Sequence, residues 1–175
     1  EEVYFAGGEP LVMEEHYRIL DFLTERRMFH VRLSYSTNFS TMIHQGKDVM
    51  RLWDRFETVH VGASLDAMGR RGEYLRKGQD WSQVVLDRER MFSDCPRVRF
   101  RLAPTLSAMN ALHLPDFHED WSRKGYIPVS GMDINVLLEA SEYRVQMLPA
   151  RLKEEMEERY LEYIESGLRP RGVRA

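Results

Sequence analysis

Cysteine is nearly absent: Cys95, in "SDCPRV", is the only one among 175 residues. A lone thiol closes no internal disulfide and cannot supply a thiolate cage for zinc or an iron–sulfur cluster. Just ahead of Pro96 it is expected at a helix end, and no His or Asn beside it in sequence frames a nucleophile. Scarce cysteine suits a reducing compartment, so a cytoplasmic location is expected. Also missing is any apolar run approaching the ~20 residues that span a bilayer, so no membrane partner is expected. An excess of positive charge is missing too. Against 28 acidic residues stand 25 Lys and Arg, a formal net charge of −3, which offers no basic face to nucleic acid. The tail "LRPRGVRA" is locally basic, with Arg169, Arg171 and Arg174, and it reads as a solvated, frayed end. GxSxG, P-loop and GxGxxG motifs are absent, leaving hydrolase, NTPase and dinucleotide readings without support.

What is present is the balance of a folded chain. Hydrophobic residues make up 43% and charged residues 30%, enough apolar side chain for a core and too much for disorder. β-rich runs alternate with helical patterns. "VYFAG" (3–7), "VRLSYSTN" (31–38), "TVHVGASLD" (58–66), "RVRFRLAPTL" (97–106) and "INVLLEA" (134–140) read as strands, the first of them buried. Between them, helices are expected over 14–28, 45–56, from Asp80 onward, over 114–125 and over 148–167. Tyr17, Leu20 and Leu23 share one face of the first. Asp80 reads as an N-cap with Gln83 completing a capping box, and Trp81, Val84, Val85, Met91 and Phe92 as the buried stripe that follows. Pro115 belongs in the first turn of its helix, and Gly125 and Gly167 at C-caps. Val3, Val31 and Val59 follow one another at steps of 28 residues, the length of one βα unit. The expected fold class is α/β, a partial (β/α) barrel of about five parallel strands with helices on the outer face.

Ligands of parallel α/β sheets sit beyond the C-terminal strand ends. The runs there end in Gly7-Gly8-Glu9-Pro10, Ser36-Thr37-Asn38, Ser64-Leu65-Asp66 and Thr105-Leu106-Ser107. Glycines admit a ligand close to the backbone, Glu9 suits an ammonium, and Ser64 and Asp66 suit sugar hydroxyls. Any one of these is also an ordinary turn; together, on one sheet edge, they favour a ligand. Six histidines are scattered, and His113 with His118 lies near Asp116, Glu119 and Asp120. Their spacing of five does not fit one helical face, and no metal site is expected. Ion pairs Lys153–Glu157 and Glu155–Arg159 are expected along the last helix.

"YFAGGEP", "STN", "SLDA" and "EYLRKGQDW" resemble the radical S-adenosylmethionine enzymes. "FAGGEP" is similar to that family's motif after its second strand, which contacts the methionine amino group. "ASLDA" is similar to the end of its fourth strand, facing ribose and carboxylate. "INVLLEASEYRVQMLP" with "ARLKEEMEERYLEYI" resembles the branch with a twitch-type accessory region. The resemblance spans roughly residues 2–165. It implies residues 1–147 as a partial barrel core and 148–175 as a C-terminal helix and tail beginning that region. It implies S-adenosylmethionine as cofactor, bound by Gly7, Gly8, Glu9, Asn38, Ser64, Asp66 and Arg76. It implies reductive cleavage of that cofactor and hydrogen abstraction from an unknown substrate, with a peptide or protein as the branch's hint. The family's CxxxCxxC loop, which holds a 4Fe–4S cluster, has no counterpart here. The chain is therefore expected to be a fragment lacking the first strand and cluster loop, inactive as it stands, its first-strand edge open to self-association. Two other readings stay open: a cluster-free relative acting as a binding or partner protein, and an unrelated α/β enzyme whose GGEP is only a turn.

Overall fold

A computed structural model describes residues 1–173. In chain order the elements are β1 (Glu2–Phe5), α1 (Glu14–Glu25), β2 (Arg32–Thr37), β3 (Ile43–His44), β4 (Lys47–Asp48), α2 (Val49–Trp53), β5 (Val59–Ala63), α3 (Gly69–Leu75), α4 (Trp81–Asp94), β6 (Arg99–Leu102), β7 (Thr105–Leu106), α5 (Leu114–Arg123), β8 (Asn135–Val136) and α6 (Ala150–Tyr163). They form two compact units, residues 1–64 with 78–101, and residues 65–77 with 102 onward.

The first unit carries a four-stranded parallel sheet in the order β1-β2-β5-β6. Register runs Phe5 against Tyr35 and Tyr35 against Val61. The strands alternate. Leu33, Tyr35 and Thr37 are buried while Ser34 and Ser36 are half-buried, and Val59, Val61 and Ala63 repeat the pattern. Helices cover the odd-numbered face: Phe5 stacks on Tyr35 at 4.9 Å, His16 of α1 meets Phe5 edge-on at 4.8 Å, and Trp53 of α2 meets Tyr35 at 5.1 Å. On the other face Ser34 donates to Glu2 at 2.6 Å. Strand one is accordingly not buried as a whole, since Phe5 packs against the core while Tyr4 is 66% exposed.

Three further expectations are corrected in this unit. Residues 45–48 are not helix: β3 and β4 pair antiparallel around Gln45 and Gly46, whose φ values of 48° and 77° make the two-residue hairpin turn. The helix begins only at Val49, where the Asp48 carboxylate accepts the Met50 amide. Asp80 does cap α4, accepting the Gln83 amide at 3.1 Å, but the Gln83 side chain reaches forward to Asp87 instead of back, so no capping box closes on it. The α4 stripe buries Val84, Asp87, Arg88 and Met91, with Phe92 49% exposed. Cys95 caps the helix end as expected and is buried, and burial pushes its thiol up to about 12.

In the second unit Leu102 bridges Met132, and β7 pairs with β8, both in parallel. The run 97–106 is thus one strand path broken at Ala103–Pro104, where proline has no N–H to give. Run 134–140 shortens to Asn135–Val136, both exposed, with Leu138 at 69%. α5 buries Leu114, Phe117 and Trp121, with Pro115 in its first turn, and Gly125 follows at φ 73° as the C-cap glycine. α6 turns Leu152, Met156, Tyr160 and Tyr163 inward as a half-buried stripe, and its Arg159 donates to Asp116 of α5 at 2.6 Å. Gly167 does not stop this helix. The chain passes through a π turn at Ile164–Leu168 and a 3-10 turn at Arg169–Arg171, and Gly172 reverses it at φ 82°. Glycine is needed at 167 for another reason: a Cβ there would sit 2.6 Å from the Tyr163 ring. The tail is ordered at Arg171, which donates to Ser122 at 2.8 Å; Arg174 lies outside the described residues. Among the described residues no helix is long and apolar enough to cross a membrane.

Leu33→Ala, in the centre of the sheet at 0% exposure, should lower the unfolding free energy by about 2–4 kcal/mol. Tyr4→Ala should stay within about 0.5 kcal/mol. Urea unfolding of both variants checks the assignment of the two faces, and a cost of several kcal/mol at Tyr4 would contradict it.

Candidate functional site

The first unit gathers its polar residues at the C-terminal strand ends. β1 stops because Gly7 and Gly8 adopt φ of 83° and 59°, a region closed to most L-residues. A Cβ on Gly7 would meet nothing within 4 Å, so the glycine serves the backbone and leaves open space before it. Glu9 then caps the 3-10 turn Pro10–Val12, accepting the Leu11 amide at 3.1 Å. Its carboxylate also crosses to β2. The Thr37 hydroxyl donates to Oε1 at 2.5 Å and the Asn38 amide to Oε2 at 2.6 Å. Thr37 Oγ1 in turn accepts the Phe39 amide at 3.0 Å, which holds fully buried Phe39 at φ 57°. The Ser64 amide donates to the Thr37 carbonyl at 2.7 Å. The Asn38 side chain accepts the Ser40 amide at 3.0 Å. The structure thus brings Gly7, Gly8, Glu9, Asn38 and Ser64 to neighbouring strand ends. It shows the Glu9 carboxylate already accepting three hydrogen bonds from its own chain.

Asp66 and Arg76 belong to the second unit and bind each other, Arg76 Nε to Asp66 Oδ2 at 2.8 Å. The other Asp66 oxygen accepts the Thr105 amide at 2.7 Å. Fully buried Asn110 completes this knot: its amide donates to the carbonyls of Asp66 and Thr105, both at 2.9 Å, and its oxygen accepts the Ser107 amide at 2.8 Å. Asn110 carried no signal in the sequence, because a single Asn in a turn is ordinary.

Beneath the strand ends lies a second group, of which helical periodicity had marked only Tyr17. His16 Nε2 is 3.0 Å from the Tyr35 hydroxyl, and Tyr17 donates to the Leu11 carbonyl at 3.0 Å. Burial lowers His16 from 6.5 to about 4, and burial first, then the charges of Asp48 and Glu9, raise Tyr17 to about 12. Both side chains are neutral at pH 7. His118, the histidine nearest a metal-like spacing, lies between the Tyr163 hydroxyl at 2.5 Å and the Val129 carbonyl at 2.9 Å. Among the described residues no group of three His, Cys, Asp or Glu is placed to hold a metal. No family model and no curated protein sequence matches the chain.

His16 sets a pH dependence. The unfolded chain takes up a proton near pH 6.5 and the folded chain only near 4, so the stability its neutral form contributes is full above 6.5 and lost as pH falls towards 4. Between pH 7.5 and 5 the loss should be about 2 kcal/mol. Urea unfolding at the two pH values checks it; unchanged stability would mean that His16 is not buried as a neutral group.

Proposed function

We propose that the chain is the S-adenosylmethionine-binding core of a radical S-adenosylmethionine enzyme, its parallel sheet being part of a (β/α) barrel. The observation that carries the reading is the Glu9 carboxylate fixed between two parallel strand ends. An ionised carboxylate has about four acceptor positions. Two N–H groups and one hydroxyl fill three of them, with one donor only on Oε2. The remaining position can take an ammonium, and the carboxylate is oriented before the ligand arrives, which lowers the ordering cost of binding. The turn at Gly7 and Gly8 leaves room beside it, and Asn38 and Ser64 supply polar surface at the adjoining ends. S-adenosylmethionine, when bound, supplies the sulfonium and adenosyl group that such enzymes use. The residues of this chain hold its methionine end and orient it.

A 4Fe–4S cluster does not fit these residues. The one thiol is 1% exposed and burial keeps it protonated. A second reading has its own support. The positive φ values of Gly7 and Gly8 and the capping of the 3-10 turn by Glu9 account for GGEP as a strand-ending turn.

Calorimetric titration separates the two. Folded wild type should bind S-adenosylmethionine saturably, and Glu9→Gln should weaken binding by about one to two decades, the worth of one charge-assisted hydrogen bond of ~1.5–3 kcal/mol. Gly8→Val is unsuitable as a steric block, since φ 59° strains any side chain at that position. Absence of saturable binding by the wild type, or equal binding by folded Glu9→Gln, leaves GGEP as a turn and nothing more.

A further inference from the structure

We infer that the polar face of the four-stranded sheet binds the phosphate group of a small molecule, at Ser36, His60, Gly62 and Arg99. Parallel sheets are normally covered on both faces, and their strands then read as continuous apolar runs. These strands do not. Leu33, Tyr35, Val59, Val61 and Phe100 are buried, Phe100 beneath the Arg88 guanidinium of α4 at 4.8 Å. Alternation puts Arg32, Ser34, Ser36, His60, Gly62 and Arg99 on the opposite face, none of them buried. A face with no Leu, Ile, Val, Met or Phe at these positions gains little by packing against apolar protein, and suits a polar ligand instead.

Donors converge on this face. Register sets Ser36 beside Gly62 and Ser34 beside His60, and β6 adjoins β5 on its other side. Neighbouring strands lie ~4.8 Å apart, so Ser36 of β2 and Arg99 of β6 flank the space over Gly62, which has no side chain to fill it. The Ser36 hydroxyl, the Arg99 guanidinium and the His60 ring have no hydrogen-bond or ion-pair partner among the described residues. Of the two His60 nitrogens only Nε2 is closed off from solvent, so Nδ1–H is the donor that meets a ligand. The acid of this face lies at its far edge: Glu2 accepts the Ser34 hydroxyl at 2.6 Å and stands 3.8 Å from Arg32. Arg101 interacts within the chain and is not counted. Burial first, then the charges of Arg99 and Arg32, lower His60, and Glu2 opposes them. The field beside His60 is therefore positive, although the chain as a whole carries −3. A phosphate ester matches it better than a carboxylate. It brings close to two charges and three acceptor oxygens, for donors arriving from three strands, and Arg is suited to phosphate. Ser36 and Gly62 lie two residues, about 7 Å, back from Asn38 and Ser64. Different side chains thus form this site, and the inference does not depend on the function proposed above.

The test titrates the full chain with methyl phosphate, and in parallel with acetate, at constant ionic strength without S-adenosylmethionine, followed by amide NMR. Methyl phosphate should give saturable shifts at Ser36, His60 and Gly62, and acetate should bind about tenfold more weakly. Arg99→Gln should weaken methyl phosphate about ten- to a hundredfold, as loss of one charge-assisted hydrogen bond does. Gly62→Val, or Gly62→Ala should the first not fold, should weaken it at least as much by filling the space. Arg18→Gln, which removes an exposed positive charge from α1, should leave binding unchanged. No saturable shift at these three residues in wild type, equal binding of acetate, undiminished binding by Arg99→Gln or by a folded Gly62 variant, or equal weakening by Arg18→Gln would each overturn the site.

Discussion

One carboxylate fastens the ends of two neighbouring parallel strands. Glu9 accepts the amide two residues ahead of it and then a hydroxyl and an amide from the end of β2. Much of the local structure depends on this. The 3-10 turn it caps delivers the chain to Met13, the N-cap of α1. Thr37, held by Glu9, has its Oγ1 lone pair turned to the Phe39 amide, and Phe39 keeps a backbone conformation that bulky residues rarely adopt. That strain persists because Phe39 is fully buried and meets Phe100 edge-on at 5.0 Å. The Thr37 carbonyl then receives Ser64 from the end of β5. A single side chain therefore sets the positions of several residues that a ligand would meet.

The second unit uses the same device with different residues. Asp66 accepts from Arg76 and from the Thr105 amide, while Asn110 ties the carbonyls of 66 and 105 together. Backbone groups leaving a strand need partners, and in both units an Asp, Glu or Asn side chain supplies them. The polar residues at strand ends are thus structural before they are anything else.

The sheet was legible in the sequence because its signal is local. β-branched runs at even spacing marked the strands, and helical periodicity marked α1, α4 and α5. Where local signals competed, the sequence misled. Val49, Leu52 and Trp53 at helical spacing masked the Gln45–Gly46 hairpin turn just before them, and the apolar look of "VYF" concealed that Tyr4 faces outward. Gly167 resembled a helix stop, but its smallness serves the Tyr163 ring. GGEP was legible as a strand end with an anionic residue. That the anion already has intrachain donors was not, because Thr37 and Asn38 lie 28 and 29 residues away and reach Glu9 only through strand pairing.

The central claim is that the strand ends around Glu9 form a ligand site. Residue-resolved amide NMR during titration with S-adenosylmethionine tests it most directly. The account expects saturable shifts concentrated at the amides of Gly7, Gly8, Asn38 and Ser64, with the remote β3–β4 hairpin tip at Gln45 and Gly46 unmoved. Shifts that saturate elsewhere while these four amides stay still, or no shifts at all, would contradict it.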